Sequence, residues 1–233
     1  MPTLPDLPHT EIAIVARTNA FRQENKLAPV SPNKELAAAA RWFAEYLART
    51  GKFAHEADGR EPQQRAAAHG YHYCMVGENL AMNLDSRGFT SDRLATEAVE
   101  GWKASPPHRR TLLEPAVTET GVAIARVPDA HPKFVSVQLF GRPQALKMEL
   151  EVRNATGLAV GYTLAGEAHT IEPRTVVTHT TCRPGELAFE RAGSWLSGVT
   201  LDARFAIDNG ARFTIQAGQG GGVQVHRENG VRK

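Results

Sequence analysis

Cysteine is scarce in this 233-residue chain, occurring only as Cys74 and Cys182. Two cysteines exclude a disulfide-dense scaffold and a four-cysteine zinc module. They can close one bridge across a long loop or stand as two buried thiols, and sequence does not give the Cα separation that decides. Long apolar runs are missing too. None approaches the roughly 18 residues that cross a bilayer, so no transmembrane segment is expected. Neither sign of charge dominates, since 27 basic residues face 25 acidic ones for a net +2. The charges are interspersed, with no basic stripe to follow a phosphate backbone, and nucleic acid is not expected as a partner. The opening "MPTLPDLPHTE" has no positive n-region and no apolar h-region. No secretory signal is read in it, which implies a cytosolic chain or a signal lying outside this sequence.

What is present is the composition of a globular protein, 42% hydrophobic and 22% charged, with a length that allows one or two domains. Apolar residues at helical spacing (Ile14, Val15, Thr18, Phe21) predict a first helix capped at Thr10. "SPNKELAAAARWFAEYLART" predicts a second, with Ser31 as cap, Pro32 at its first position, a stripe through Leu36, Ala40, Phe43 and Leu47, and Gly51 as its stop. A short helix is expected from Pro62 to Gly70, an extended segment in "CMVGENLAMN", and a fourth helix over residues 90 to 104. "ETGVAIARV" and "KFVSVQLFG" read as a strand pair.

The texture changes near "GRPQ", which places a domain boundary at 143 to 146. Beyond it, β-like runs such as "KMELEVRN", "AVGYTLAG", "HTIEPRTVVTHTTC", "GVTLDARFAIDNG" and "ARFTIQAG" alternate with turns, the pattern of an antiparallel sandwich or small barrel over 146–230. "GQGGG" at 218 to 222 lacks the following helix and Lys-Ser/Thr of a phosphate loop and reads as a hairpin connection. "NAT" at 154 fits a glycosylation sequon but reads as a turn.

The groups able to carry chemistry are His55, Glu78 and His108, with Ser105, Glu97, Glu100 and Gln138 nearby in sequence or space. Two imidazoles and a carboxylate are a donor set that zinc accepts with a position left open to water. Spacing alone does not group them, because the chain has nine histidines and no H-E-x-x-H. In the final third, "HTTC" from His179 to Cys182 has ligand-like chemistry but no partner pair in sequence. Asn19, Arg22 and Asn79 read as residues that satisfy buried backbone groups, Trp42 and Trp102 as core, and Glu97 and Glu100 as a solvated face.

An ordered series of motifs sharpens this reading. "NAFR" (19–22), "FAH" ending at His55, "GENLA" (77–81), "GWKASPPHRRTLLEP" (101–115), "TETGVAIA" (118–125) and "VQLFG" (137–141) together resemble the CAP superfamily, and its bacterial branch in the W-x-x-S-P-x-H-R form. The resemblance spans roughly residues 8–143. It implies an α-β-α sandwich CAP domain, which together with the β-like runs beyond it makes the expected chain α+β, a CAP domain followed by a small all-β domain. It also implies a cleft in which His55 and His108 are the two histidines, able to hold a divalent metal such as zinc or magnesium, and Glu78 the glutamate of G-E-N-L. Animal and plant members carry a glutamate three residues after the helix tryptophan. Here that position is Ser105, which removes one carboxylate from any acid-base pair.

The expected function is therefore a secreted or periplasmic CAP-domain protein whose cleft of His55, Glu78, His108, Ser105 and Gln138 binds a small ligand, lipid or divalent ion, with no confident catalytic residue. One alternative is a metal-dependent hydrolase with His55 and His108 as ligands and Glu78 as general base. Another is a protein that docks to a partner or envelope through its C-terminal β domain.

Overall fold

The computed structural model describes residues 2–189, 203–218 and 223–228. The chain divides into two compact units, Met1–Ala145 and Leu146–Lys233.

In the first unit, helix α1 (Leu7–Glu24) starts a turn earlier than the sequence suggested. Asp6 caps it, its side chain accepting from His9 N at 2.8 Å, while Thr10 is buried in the first turn and donates its hydroxyl to Asp6 O. Ser31 and Pro32 likewise do not open a helix. They form the short strand β1 (Ser31–Pro32), and Asn33 caps α2 (Lys34–Thr50) by accepting from Leu36 N at 2.9 Å. The competing interaction is long-range, since Ser31 N donates to Thr118 O. Helix α3 (Pro62–Ala68) is followed by β2 (Tyr73–Leu84) and α4 (Ser91–Ala104). The Ser-Pro-Pro-His-Arg-Arg stretch opens a fifth helix, α5 (Pro106–Leu112), whose two prolines occupy its first two positions, where no N–H is needed.

Strands β3 (Glu119–Arg126) and β4 (Lys133–Pro143) complete a sheet of order β1-β3-β4-β2, parallel only between β1 and β3. Alternate residues separate to its two faces. Val135, Val137, Leu139, Ala123 and Leu80 pack with Leu36, Phe43 and Leu47 of α2. Phe134, Phe140, Val122 and Ile124 pack with Ile14, Leu94, Trp102 and Leu112 of α1, α4 and α5. This is the expected α-β-α sandwich. Gly121 lets α2 lie directly on β3, because a Cβ there would fall 2.2 Å from the Leu36–Ala37 backbone. Trp102 is buried with its indole N–H donating to Leu80 O at 2.9 Å. Trp42, expected in the core, is instead partly exposed and stacks on Tyr46.

The second unit is a β-sandwich. One sheet has the order β10-β9-β6-β7 and the other β12-β11-β5-β8. The strands are β5 (Met148–Asn154), β6 (Val160–Leu164), β7 (Glu167–Ile171), β8 (Val176–Thr181), β9 (Glu186–Phe189), β10 (Ala203–Ala206), β11 (Ala211–Ala217) and β12 (Val223–Glu228). Leu150, Val152, Phe213 and Ile215 of one sheet share a core with Leu164, Leu187 and Phe189 of the other. The pairing departs from the expected antiparallel pattern at β5 and β11, which run parallel; many residues separate them in sequence, as a parallel pair requires. Asn154 ends β5, and the bend read in "NAT" begins just beyond it. Asn154 is buried and donates its amide to Leu158 O, Glu172 O and Ile171 O. Residues 198–202 of the expected "GVTLDARFAIDNG" run and 219–222 of "GQGGG" lie outside the described residues. Among the described residues no helix is long and apolar enough to cross a membrane.

Candidate functional site

The candidate cleft forms at β2, an edge strand with β4 on one side only. Glu78 pairs in register with Leu139, and Leu80 with Val137, so the Glu78 side chain emerges on the face covered by α2 and α3. Asn79 points to the opposite face, where its amide donates to His108 O at 3.1 Å and ties α5 to the strand. Gly77 brings α5 close, since a Cβ there would sit 3.0 Å from Thr111 Cγ2. Arg22, wholly buried, donates to Leu112 O and Glu114 O at the far end of α5, satisfying carbonyls a short helix leaves open. Asn19, Arg22 and Asn79 thus do the backbone work their chemistry suggested.

His55 comes from the loop between α2 and α3. That loop is set by Gly51, which ends α2 at φ 70°, and by the Tyr46 hydroxyl donating to Ala57 O. His55 Nδ1 donates to Glu78 Oε1 at 2.8 Å, and the ring centres of His55 and His108 are 6.4 Å apart. Three side chains distant in sequence therefore meet where the two faces of the sheet converge on its edge.

Sequence reasoning missed the residues beneath them. Arg65, with a side chain 0% exposed, donates to Glu78 Oε2 and Asp58 Oδ1, both at 2.8 Å, and to Arg60 O. Its guanidinium lies 3.6 Å from the Phe43 ring centre. A charged chain Asp58–Arg65–Glu78–His55 results, buried at one end and open at the other. Arg65 lies in an alanine-rich helical run, and only contacts made by folding distinguish it from a surface arginine.

This chain sets the electrostatics of the two imidazoles. The hydrogen bond to Glu78 raises the His55 pKa above its ordinary 6.5, against the opposing effect of burial. Burial, followed by the nearby His55, lowers that of His108. With Nδ1–H committed to Glu78, His55 presents Nε2 to the cleft.

Two expected cleft residues are placed differently. Gln138 is wholly buried on the α1 face, hydrogen-bonded to Thr18 and Thr120, so it fills the core and does not reach the cleft. Its position in "VQLFG" could not reveal the sheet face. Ser105 joins α4 to α5, its backbone carbonyl accepting from Arg109 N at 2.8 Å. Among the described residues, its hydroxyl makes no hydrogen bond to the His55–Glu78 pair. Glu97 and Glu100 sit on the solvated side of α4, paired with Arg93 and Lys103.

The three-layer sandwich is the fold that the resemblance to the CAP superfamily implies. The chain belongs to that family, since the profile described as the cysteine-rich secretory protein family (CAP) matches residues 15–140. Among solved structures it is similar to an outer surface protein from Borrelia burgdorferi, 20% identical at a TM-score of 0.50 over 58% of this chain and 93% of that one. It is also similar to an extracellular protein containing an SCP domain from Bacillus anthracis, 25% identical at a TM-score of 0.48 over 58% of this chain. The match spans only 41% of the Bacillus protein. A comparison with curated proteins gives no match.

Proposed function

We propose that this is an exported CAP-domain protein whose His55–Glu78–His108 cleft binds a small polar or anionic ligand without turning it over. The observation that carries the reading is the commitment of both Glu78 oxygens, one to His55 and one to Arg65, on a side chain only 1% exposed. A carboxylate so held orients an imidazole, and it is poorly placed to take a proton from water, as a hydrolase base must. His55, its charged form favoured, offers Nε2–H to an anion, and the half-buried His108 ring forms the opposite wall.

A metal bound side by side by both rings would have to draw them together. An ion bound by two imidazole nitrogens at about 2.1 Å, with an angle between square and tetrahedral, places the ring centres about 4.5–5.3 Å apart. The observed 6.4 Å requires the rings to close by about 1 Å. Magnesium fits less well, preferring oxygen ligands to imidazole. Export is supported by the family's secretory character and by the absence of a free thiol at Cys74 or Cys182, a state suited to an oxidising compartment.

The test follows the two cleft imidazoles by NMR while acetate, phosphate, a lysophospholipid and Zn(II) are added in turn. Shifts from one of the first three, lost in His55→Ala and His108→Ala, are expected. Ester or peptide hydrolysis abolished by His108→Ala would overturn the binding-only reading.

A further inference from the structure

The "HTTC" histidine finds its partners in the β-sandwich. His179 lies on β8 and His169 on β7, the edge strands of the two sheets. Their rings meet edge to face with centres 4.8 Å apart. Tyr162, on β6 opposite His169 in register, stacks on the His169 ring and places its hydroxyl 2.6 Å from His179 Nε2. The Tyr162 side chain is buried against Phe189, whereas both histidines are half-buried and open to solvent at the sandwich edge.

Two features of this cluster ask for a ligand. His169 Nε2 is buried and has no hydrogen-bond partner among the described residues. A buried polar atom left so costs about 1–3 kcal/mol, a cost that a bound ligand would remove. The spacing is the second feature. The 4.8 Å between ring centres falls within the range of about 4.5–5.3 Å of two imidazoles bound side by side to one ion, whereas the cleft pair stands wider.

We propose that His169 and His179 bind a divalent transition ion of the imidazole-preferring kind, zinc or copper, and that Tyr162 orients His179 for it. His169 contributes Nε2 and His179 the nitrogen that Tyr162 does not engage. The phenol then accepts from the remaining His179 N–H and fixes the tautomer, the role that outer partners of metal-bound histidines play. Water completes the coordination from the solvent side. Because the two histidines belong to different sheets, the ion joins the open edge of the sandwich, and its binding energy becomes folding stability.

The experiment uses the full chain carrying His55→Ala and His108→Ala, stripped with chelator, so that the cleft cannot contribute. Titration with Zn(II) by calorimetry is expected to show one tight equivalent and a rise in melting temperature. His169→Gln and His179→Gln, each added to this background, are expected to abolish that equivalent. Tyr162→Phe, which keeps the packing, should weaken it about 10- to 100-fold. Far-UV circular dichroism of the stripped variants shows that each folds, and the phenylalanine variant tests the site even if a glutamine variant does not. No tight equivalent in the background protein, or one that survives His169→Gln, would overturn the proposal.

Discussion

Each unit of this chain holds a pair of histidines, and the two pairs are built on different principles. In the CAP unit the rings of His55 and His108 stand 6.4 Å apart, and His55 is anchored by a carboxylate that a buried guanidinium in turn anchors. In the sandwich the rings of His169 and His179 stand 4.8 Å apart with a neutral phenol as orienter. The anionic anchor favours a charged imidazole and room for a ligand between the rings. The neutral anchor brings no charge to His179, whose uncharged form burial favours, and leaves it close enough to His169 to share an ion. The difference teaches that a histidine pair is defined less by its two rings than by what holds them.

The sharpest way to break the comparison is to remove the ionic anchor. Arg65→Met leaves Glu78 and Asp58 buried without their counter-charge and should destabilise the CAP unit by about 3–5 kcal/mol, seen in urea denaturation followed by near-UV circular dichroism. Tyr162→Phe, removing the neutral anchor, should cost about 0.5–1.5 kcal/mol in the same measurement. Asn154→Ala is a control within the sandwich that touches neither histidine. It strands three carbonyls and should cost about 1–3 kcal/mol.

Titration sharpens the contrast further. The fold favours protonated His55, so the stability that residue adds is present below its ordinary 6.5 and is lost as pH rises through the raised value. His108 and His179 are lowered, chiefly by burial, so the fold favours their neutral forms and stability is lost as pH falls below 6.5 through the lowered values. Imidazole signals in an NMR titration should therefore show His55 protonating first as pH falls, with the other two later. In Glu78→Gln, His55 should drop back toward the ordinary value, while His179 should not move. The smallest effect is expected at Ser105, where Ser105→Ala should change stability by less than about 0.5 kcal/mol and leave the His55 titration unchanged.

Much of the architecture could be read from residue order. The apolar stripe of α2, the paired runs of β3 and β4 and the change of texture near residue 144 are local patterns, and each marks an element or a change of unit in the fold. Errors fell where a distant partner outbid a local preference. Ser31 and Pro32 look like a helix start but pair with Glu119 and Thr120. Gln138 sits in a motif beside the cleft in sequence yet faces the other side of the sheet, because neighbouring residues of a strand point to opposite faces.

The site divides in the same way. His55, Glu78 and His108 could be nominated from motifs, since their residue types and order are written in the chain. Arg65, Asp58 and the Tyr162–His169–His179 cluster could not, because each depends on a contact between residues on different strands, helices or sheets. The sequence by itself determined which elements form and which side chains can carry protons or hold ions, through periodicity and chemistry that act over a few residues. Tertiary structure alone decided which of those side chains meet, how far apart their rings stand and what charge lies behind them, because distance and dielectric exist only once the chain has closed upon itself.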